Sequence, residues 1–227
     1  MVDKRYAIIV AGGSGVRMNV RTPKQFLLLN GLPILMHTIN LFQSINPLPE
    51  IVLVLPDNQF ETWEKLCHEY TFNVHYKLVA GGETRFHSVK NGLNAIDGDG
   101  LVAIHDGVRP LVSMAIIENC FNVAKQKGNA VPAIQPHESV RVGSPESSTA
   151  ENRENIWLIQ TPQVFRVNTI KTSYQTNFSI SFTDDASVAE ASGEKIHLVQ
   201  GDRENIKITT QLDLITAEEL IRKGATK

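Results

Sequence analysis

The sequence predicts an α/β fold in which helices cover both faces of a mostly parallel, twisted β-sheet. Two observations carry this prediction: short apolar runs rich in Val and Ile recur along the chain, and segments with helical periodicity separate them. Strands that alternate with helices need crossover connections, which place helices on both faces of the sheet. With 227 residues and 42% hydrophobic content, the chain can form one domain, residues 1–227, with a large core.

The predicted strands and helices alternate from the start of the chain. Most apolar runs are bounded by Gly, Pro, Asn or Asp, which favours buried strands over residues 7–11, 51–55, 74–79, 101–105 and 130–134. Helical periodicity predicts helices over residues 33–45, 58–70, 84–96 and 113–127. Pro33 suits a first helical turn, Ser113 an N-cap and Gly128 a helix stop.

Residues 136–155 interrupt the alternation, with few large apolar residues and many Ser, Glu and Arg. So long an unstructured loop is unusual inside a compact domain, so the segment is either disordered or a projecting arm. We favour a β-arm, because strand-like residues 131–134 and 156–159 flank it and could close a hairpin. Because so polar a segment cannot bury enough surface alone, we expect it to pack as a dimerisation arm against a second chain.

Regular structure is predicted to resume after the arm. Residues 195–200 and 205–209 have strand-like patterns, and a closing amphipathic helix runs through Leu214, Ala217, Leu220 and Ile221. In residues 205–209, Lys207 alternates with two isoleucines, which places its side chain either at a site or in solvent.

Charge and cysteine content exclude several classes of protein. A net charge of −2 argues against a nucleic-acid-binding or membrane-surface protein, which would present a broadly positive field. The early apolar run, residues 6–11, is too short for a secretory signal or a membrane span, so we expect a cytoplasmic protein. Cys67 and Cys120 lack the spacing of a disulfide framework or zinc site, and Cys120 is predicted to be a buried, inert thiol.

The first strand leads into a glycine-rich loop, Gly12-Gly13-Ser14-Gly15, followed by Arg17 and by Pro23-Lys24-Gln25-Phe26. Glycines let backbone N–H groups cradle a phosphate, and Arg17 and Lys24 can supply cations. A dinucleotide fingerprint is disfavoured because Met18 occupies its third glycine position. A Walker-A loop is excluded because no Gly-Lys-Ser/Thr follows the glycines.

The loop and five later motifs carry a resemblance to a known family. The glycine loop with P-K-Q-F resembles nucleotidyltransferases that make CDP- and NDP-activated small molecules. The later motifs are G-G-E-T-R (81–85), H-D-G-V-R-P (105–110), Q-T-P-Q-V-F (160–165), F-T-D-D-A-S (182–187) and N-I-K-I-T (205–209). Together they are similar to the 2-C-methyl-D-erythritol 4-phosphate cytidylyltransferases of the non-mevalonate isoprenoid pathway, over nearly the whole chain. Ribitol-5-phosphate cytidylyltransferases share several motifs and are the alternative; residues 183–187 with Ser139 and Arg153 favour the first family.

The resemblance implies a Rossmann-like nucleotidyltransferase fold and a reaction between CTP and methylerythritol phosphate. The substrate's 4-phosphate oxygen would attack the α-phosphorus of CTP in line and expel pyrophosphate. By motif position, Arg17, Lys24 and Lys207 would be the catalytic cations. The residues expected to bind the nucleotide are Ala11, Gly12, Gly13, Gly15, Gly82, Ser88 and Asp106. A non-catalytic nucleotide-sensing module would have no reason to keep Lys24, Asp106 and Lys207 together.

The resemblance also implies a divalent cation, a second substrate site and a homodimer. Asp106, at the carboxyl end of a predicted strand, would hold Mg²⁺ against phosphate oxygens. Methylerythritol phosphate would contact Thr161 together with Ser139 and Arg153, the latter two reaching the site from the neighbouring chain's arm. Arg109 would either bind substrate phosphate or orient Asp106.

Five residues in or near these motifs need a further comment. His105 is predicted to be structural, since a phosphate nucleophile is already ionised and needs no base. Thr84 is interpreted as an N-cap and Arg85 as a structural residue or a secondary phosphate contact. Glu83 stands where relatives often carry Asp, which leaves its nucleotide contact open; Ser139 replaces the commoner Thr but keeps a hydroxyl.

Overall fold

The computed structural model describes residues 4–12 and 22–224. The strands are β1 (Arg5–Val10), β2 (Leu28–Leu29), β3 (Leu32–Pro33), β4 (Glu50–Leu55), β5 (Lys77–Ala80), β6 (Leu101–Asp106), β7 (Asn129–Ile134), β8 (Val140–Gly143), β9 (Ser148–Glu151), β10 (Leu158–Ile159), β11 (Gln163–Arg166) and β12 (Leu198–Gln200). The helices are α1 (Ile34–Gln43), α2 (Phe60–Glu69), α3 (Arg85–Asn94), α4 (Met114–Lys127), α5 (Val167–Ser173), α6 (Asp185–Ala191) and α7 (Gln211–Gly224). Gly13, Gly15 and Arg17 of the glycine-rich loop lie outside the described residues.

The central sheet has eight strands, in the order β10–β7–β11–β6–β1–β4–β5, and β12 pairs with β7. The pairs β6–β1, β1–β4, β4–β5 and β7–β12 are parallel. β11 lies antiparallel between β6 and β7, and β10 pairs antiparallel with the far end of β7. The predicted α/β class with a mostly parallel sheet is confirmed.

Helices cover both faces of the sheet because its strands are apolar on both sides. In β1, Ile9 belongs to a core cluster with residues of α1, α2 and α4, whereas Ile8 belongs to a cluster with residues of α3, α5 and α6. Successive side chains of a strand point to opposite faces, so one short apolar run contributes to two cores. Every residue of β6 is buried. Within the described part of the chain, no helix has the length and apolar character needed to cross a membrane.

The arm is a β-hairpin of β8 and β9, with Val140 paired to Glu151 at its base and Gly143 paired to Ser148 near its tip. The flanking residues also pair, Ile134 with Leu158 in β7 and β10, so the hairpin closure predicted from the flanking runs is present. Most residues of β8 and β9 are exposed. The hairpin therefore has little contact with the rest of its own chain to stabilise it.

Several local expectations can be compared with the structure. The N-cap at Ser113 and the stop at Gly128 are confirmed: the Ser113 side chain accepts from the Ile116 N–H, and Gly128 has a φ of 96°. The strand expected at residues 205–209 was wrong, because that segment lies outside the sheet. Isolated backbone hydrogen bonds attach it to the rest of the chain, such as the one from the Ile208 N–H to the Val108 carbonyl, at 2.9 Å. The Ile208 side chain is buried in a small core with residues of α7.

Candidate active site

The candidate active site is a cleft of about 260 Å³ at the carboxyl ends of the parallel strands. β1 and β6 end side by side there, with Val10 opposite Asp106. In an open α/β sheet, ligands bind where loops leave these strand ends. The cleft brings together seven of the residues predicted to form the site: Ala11, Gly12, Lys24, Gly82, Ser88, Asp106 and Lys207.

An adjoining hollow continues the cleft on the side of β11. It shares Arg85, Asp106 and Lys207 with the cleft, and its further lining residues include Arg109, Thr161 and Thr183. Two more of the predicted substrate-binding residues, Arg109 and Thr161, therefore lie beside the predicted nucleotide-binding residues.

The segment after β5 forms one wall of the cleft and is fixed by hydrogen bonds to α3. The Gly82 N–H donates to Ser88 Oγ at 3.1 Å, and that hydroxyl donates to the Thr84 carbonyl at 3.0 Å. The Thr84 side chain caps α3 by accepting from the His87 N–H, as the sequence predicts. A Cβ on Gly82 would overlap the Cβ of His87, so glycine is required for the close approach of this segment to α3.

Lys24 is placed on the cleft by its two buried neighbours. The side-chain amide of Gln25 is fully buried and donates to the Ala11 carbonyl at 2.8 Å, while Phe26 stacks on Trp63. Gln25 thus ties the short turn that carries Lys24 to the first residue after β1. Residue-by-residue reasoning missed this role, although Gln25 stands in the P-K-Q-F motif.

Asp106 is the centre of the charged network in the site. Its Oδ2 lies 2.9 Å from Lys207 Nζ and 3.5 Å from Arg109 Nε, and its Oδ1 lies 3.3 Å from Arg85 Nε. Burial alone would raise the pKa of this carboxyl, but the charges of Arg85, Lys207 and Arg109 outweigh burial and hold it well below its usual range. Asp106 is therefore ionised at neutral pH.

Arg85 is itself held by a second carboxylate, that of Asp185 at the start of α6. Arg85 Nη1 and Nη2 contact Asp185 Oδ1 and Oδ2 at 2.9 and 2.7 Å, and Asp185 has no exposed surface. The Tyr174 hydroxyl also donates to Asp185 Oδ1, at 2.7 Å. Although burial lowers the pKa of Arg85, the charges of Asp185 and Asp106 raise it well above its usual value, so the guanidinium stays charged.

His105 occupies a buried position behind Asp106 and has the structural role that the sequence predicts. Its Nε2 donates to the Arg109 carbonyl at 3.0 Å, which leaves Nδ1 to accept from the Thr161 hydroxyl, also at 3.0 Å. The Thr161 oxygen in turn accepts from the Asp106 N–H at 3.1 Å. Burial lowers the pKa of His105 to about 4, so the ring is neutral at pH 7.

Lys207 belongs to the segment after β12, and the Arg109 side chain, from the loop after β6, is bonded to that segment. Arg109 Nη1 donates to the Asn205 carbonyl at 2.6 Å, and the buried Asn205 amide donates to the Thr161 carbonyl at 2.9 Å. Ile208, the residue after Lys207, is also buried. Residues 205 and 208 are thus anchored before and after Lys207, whose side chain extends to the Asp106 carboxylate. Of the two expectations for Arg109, the contact with Asp106 is present.

Ser139 and Arg153 lie apart from this assembly. Both are exposed, and the Arg153 side chain donates to the His137 carbonyl at the base of the arm. Neither lines the cleft or the adjoining hollow of its own chain. Intrachain geometry therefore gives these two residues no place in the site.

The carboxylates of the site can be compared with what a divalent cation needs. Among residues 4–12 and 22–224, no group of three or more His, Cys, Asp or Glu side chains converges. Mg²⁺ commonly uses one or two protein carboxylates and takes its other ligands from substrate phosphates and water. Asp106 fits this pattern, since it is ionised and borders both the cleft and the hollow.

Comparison with known proteins identifies the family. A family model described as 2-C-methyl-D-erythritol 4-phosphate cytidylyltransferase matches residues 6–223. The chain belongs to this cytidylyltransferase family. Its relatives of that name include one from Phocaeicola vulgatus, 49% identical over 217 residues that cover 96% of this chain and 99% of the relative. Another, from Bacteroides fragilis, is 48% identical over 217 residues, with the same shares of the two chains covered.

Solved structures of cytidylyltransferases confirm the fold. The 4-diphosphocytidyl-2C-methyl-D-erythritol synthase of Anaerococcus prevotii matches with a TM-score of 0.81 and 29% identity, covering 97% of this chain and 99% of that one. The 2-C-methyl-D-erythritol 4-phosphate cytidylyltransferase of Francisella tularensis matches with a TM-score of 0.78 and 32% identity, covering 95% and 99%. The chain is thus a nucleotidyltransferase of the non-mevalonate isoprenoid pathway with the Rossmann-like fold, and the ribitol-5-phosphate alternative is not favoured.

Proposed function

We propose that the cleft couples CTP to 2-C-methyl-D-erythritol 4-phosphate, giving 4-diphosphocytidyl-2-C-methyl-D-erythritol and pyrophosphate. A phosphate oxygen of the second substrate attacks the α-phosphorus of CTP in line; the new P–O bond forms as the bond to pyrophosphate breaks. The observation that carries the proposal is the cluster of Lys24, Asp106 and Lys207 at the strand ends, beside the Gly82 segment.

Local charge supports the binding of two phosphorylated substrates. Lys24 and Lys207 line the cleft, Arg109 lines the hollow, and both Lys207 and Arg109 contact the carboxylate of Asp106. Two unit charges 4 Å apart interact by about 4 kcal/mol at an effective dielectric constant of 20. Cations placed this close to a bound phosphate can therefore hold it even though the net charge of the chain is −2.

The two parts of the site suggest a division between the substrates. CTP would occupy the cleft, with its base and ribose near Ala11, Gly12, Gly82 and Ser88 and its phosphates near Lys24 and Lys207. Methylerythritol phosphate would enter the adjoining hollow, past Arg109 and Thr161. Arg17, Gly13 and Gly15 stay predictions of the sequence, as they lie outside the described residues.

Asp106 is the residue that would hold Mg²⁺. When bound there, the cation would neutralise charge on the triphosphate. Arg85, Lys207 and Arg109 keep the Asp106 carboxylate ionised, and Lys24 places a compact positive charge on the cleft.

A homodimer would complete the site. Apolar side chains are exposed around the arm and its base: Val142, Trp157, Leu158, Ile159 and Leu198. Exposed apolar residues grouped in this way are typical of a protein interface. A two-fold dimer would cover them and would bring the partner's arm, with its Ser139 and Arg153, toward the hollow. We also propose that the protein is cytoplasmic, as expected from the sequence.

The reaction is tested by incubating the protein with each NTP, Mg²⁺ and either methylerythritol phosphate or ribitol 5-phosphate, and measuring pyrophosphate release. We expect release with CTP and methylerythritol phosphate only, and its loss in excess chelator. Asp106→Asn should lower kcat by orders of magnitude in a protein that still folds. Preference for ribitol 5-phosphate would overturn the substrate assignment, and full turnover in chelator would overturn the metal.

A further inference from the structure

Arg85 differs from the other cations of the site in how it is held. Its guanidinium contacts two carboxylates that come from distant parts of the chain, Asp106 at the end of β6 and Asp185 at the start of α6. The pair with Asp185 is bidentate and buried on the Asp185 side, so it fixes both the position and the plane of the guanidinium.

We propose that Arg85 is a positioning residue for the Asp106 carboxylate, itself fixed by Asp185, and that it is not one of the phosphate-binding cations. This inference rests on the function proposed above. It assigns a role to a residue of the G-G-E-T-R motif and to one of the T-D-D-A-S motif.

The first argument is geometric. Arg85 contacts Oδ1 of Asp106, whereas Lys207 and Arg109 contact Oδ2. A carboxylate can rotate about its terminal torsion, which has broad minima. Arg85 restricts that rotation, so Oδ2 stays directed toward Lys207 and Arg109.

The second argument concerns free hydrogen-bond donors and freedom to move. Arg85 borders both the cleft and the hollow, but three of its five N–H donors are already used by Asp106 and Asp185. A guanidinium bound at two points to a buried carboxylate also cannot follow a phosphate as charge develops during the reaction. Lys207, whose side chain is 39% exposed, keeps that freedom.

The third argument is that Asp185 is well anchored. It accepts from Tyr174, and α6 is attached to β11 through Gln163, whose Oε1 accepts from the Ala186 N–H at 2.8 Å. Gln163 Nε2 also donates to Asp184, the N-cap of α6, at 2.8 Å. The start of α6 is therefore a rigid support, and Arg85 transmits its position to Asp106.

The test removes both charges of the pair at once, in Arg85→Met/Asp185→Leu. Replacing both members of a buried ion pair by apolar residues of similar size is often neutral for stability, whereas removing one member is strongly destabilising. We expect a melting temperature near that of the wild type, kcat lower by about a hundredfold and KM for CTP changed by less than about threefold. Wild-type kcat, or a rise in KM with kcat retained, would overturn the inference.

Arg85→Lys and Tyr174→Phe keep the inference testable if the double variant does not fold. Lysine keeps the charge but cannot contact Asp185 at two points and Asp106 at a third, so kcat should again fall without a rise in KM for CTP. Tyr174→Phe removes one hydrogen bond to Asp185 and should have a smaller effect of the same kind. Arg85→Lys with wild-type kcat would argue for a simple cation and against positioning.

Arg5→Met/Glu118→Leu is a matched control. Arg5 contacts both oxygens of Glu118, at 2.9 and 3.0 Å, at the end of β1 opposite the cleft, so kcat should not change. Wild-type protein assayed in parallel distinguishes a failure of the proposed function from a failure of the role assigned to Arg85. No pyrophosphate from CTP and methylerythritol phosphate would refute the proposed function, whereas an active wild type and an equally active Arg85→Met/Asp185→Leu variant would refute only the role of Arg85.

Discussion

At the scale of single residues, Lys24 offers a direct test of the chemistry. Its ammonium should interact more strongly with the α-phosphate as charge builds there than with CTP in the ground state. Lys24→Ala should therefore lower kcat by about 10²–10³-fold, the usual cost of losing one such contact, and raise KM for CTP much less. Steady-state kinetics over a range of CTP concentrations measure both parameters.

Lys24→Arg is the informative companion to this change. A planar guanidinium cannot replace a compact ammonium near one oxygen, so activity should remain poor. A variant whose KM alone rises would instead show that Lys24 binds CTP equally in the ground state and the transition state.

Cys120 gives a prediction about pH. Burial raises the pKa of its thiol from 9.0 to about 12. The folded protein then holds this proton at pH values where the unfolded chain has lost it, so the contribution to stability is complete below pH 9 and is lost as the pH rises toward 12. The free energy of unfolding, measured with urea, should fall over that range. In the Cys120→Ala variant the free energy of unfolding should fall less steeply with pH. The same slope as in the wild type would contradict the raised pKa of Cys120.

At the scale of elements, Gly82 and Gly12 form a contrasting pair in the cleft. A Cβ on Gly82 would overlap His87, whereas a Cβ on Gly12 would lie 3.9 Å from Ser88 Oγ, at an ordinary contact distance. Gly82→Ala should displace the segment after β5 and lower both the melting temperature and CTP affinity. Gly12→Ala should leave the melting temperature unchanged and lower only the affinity for CTP. Calorimetric titration with CTP and thermal melts distinguish the two patterns.

The arm predicts a division between the two substrates. Ser139→Val and Arg153→Ala should raise KM for methylerythritol phosphate by about tenfold or more, the effect of losing a hydrogen bond to a charged group. CTP binding should hardly change, because neither residue lines the cleft of its own chain. Equal losses for both substrates would contradict this division. Arg141→Ala, which removes contacts with Ser148 inside the hairpin, is a control for damage to the arm itself.

Sequence patterns predicted the elements that have a long repeat or a clear boundary. The strands near residues 51–55 and 101–105 and the helix from Ser113 to Gly128 are present, because their apolar residues and caps act locally. β11 and α6 were not predicted as elements: they have four and seven residues, too few to show a period. In residues 205–209 the alternation was real, but a small core under α7, and not a strand ladder, accounts for it.

The site was predictable to a similar depth. Asp106, Lys24 and Lys207 belong to the motifs that carry the family resemblance, and all three line the cleft. The pairing of Arg85 with Asp185 joins residues one hundred positions apart. No spacing rule connects such residues, since the topology of the sheet decides which chain segments meet.

At the scale of the whole molecule, the proposed dimer predicts complementation between two inactive variants. Lys24→Ala damages the site in its own chain, and Arg153→Ala damages the site of the partner. With random pairing after subunit exchange, about half the dimers are mixed and each has one intact site, so about a quarter of wild-type activity should return.

The outcome separates a shared site from one within a single chain. If each site were built from one chain, every site in a mixed dimer would keep a defect, and activity would not recover despite demonstrated exchange. A monomer by light scattering would reject the dimer itself.

The place of β11 has a consequence for how the protein is made. β11 lies between β6 and β7 in the sheet, although it leaves the ribosome after both. Until Gln163–Arg166 has been synthesised, one edge of β6 has no strand to pair with. β7 cannot join the central strands either, because β11 is the strand that pairs with both β6 and β7. An open edge of this kind is a template for pairing with another chain. The nascent protein therefore has an unpaired β6 edge, prone to pairing with another chain, until a four-residue strand from the last third of the chain joins β7 to β6.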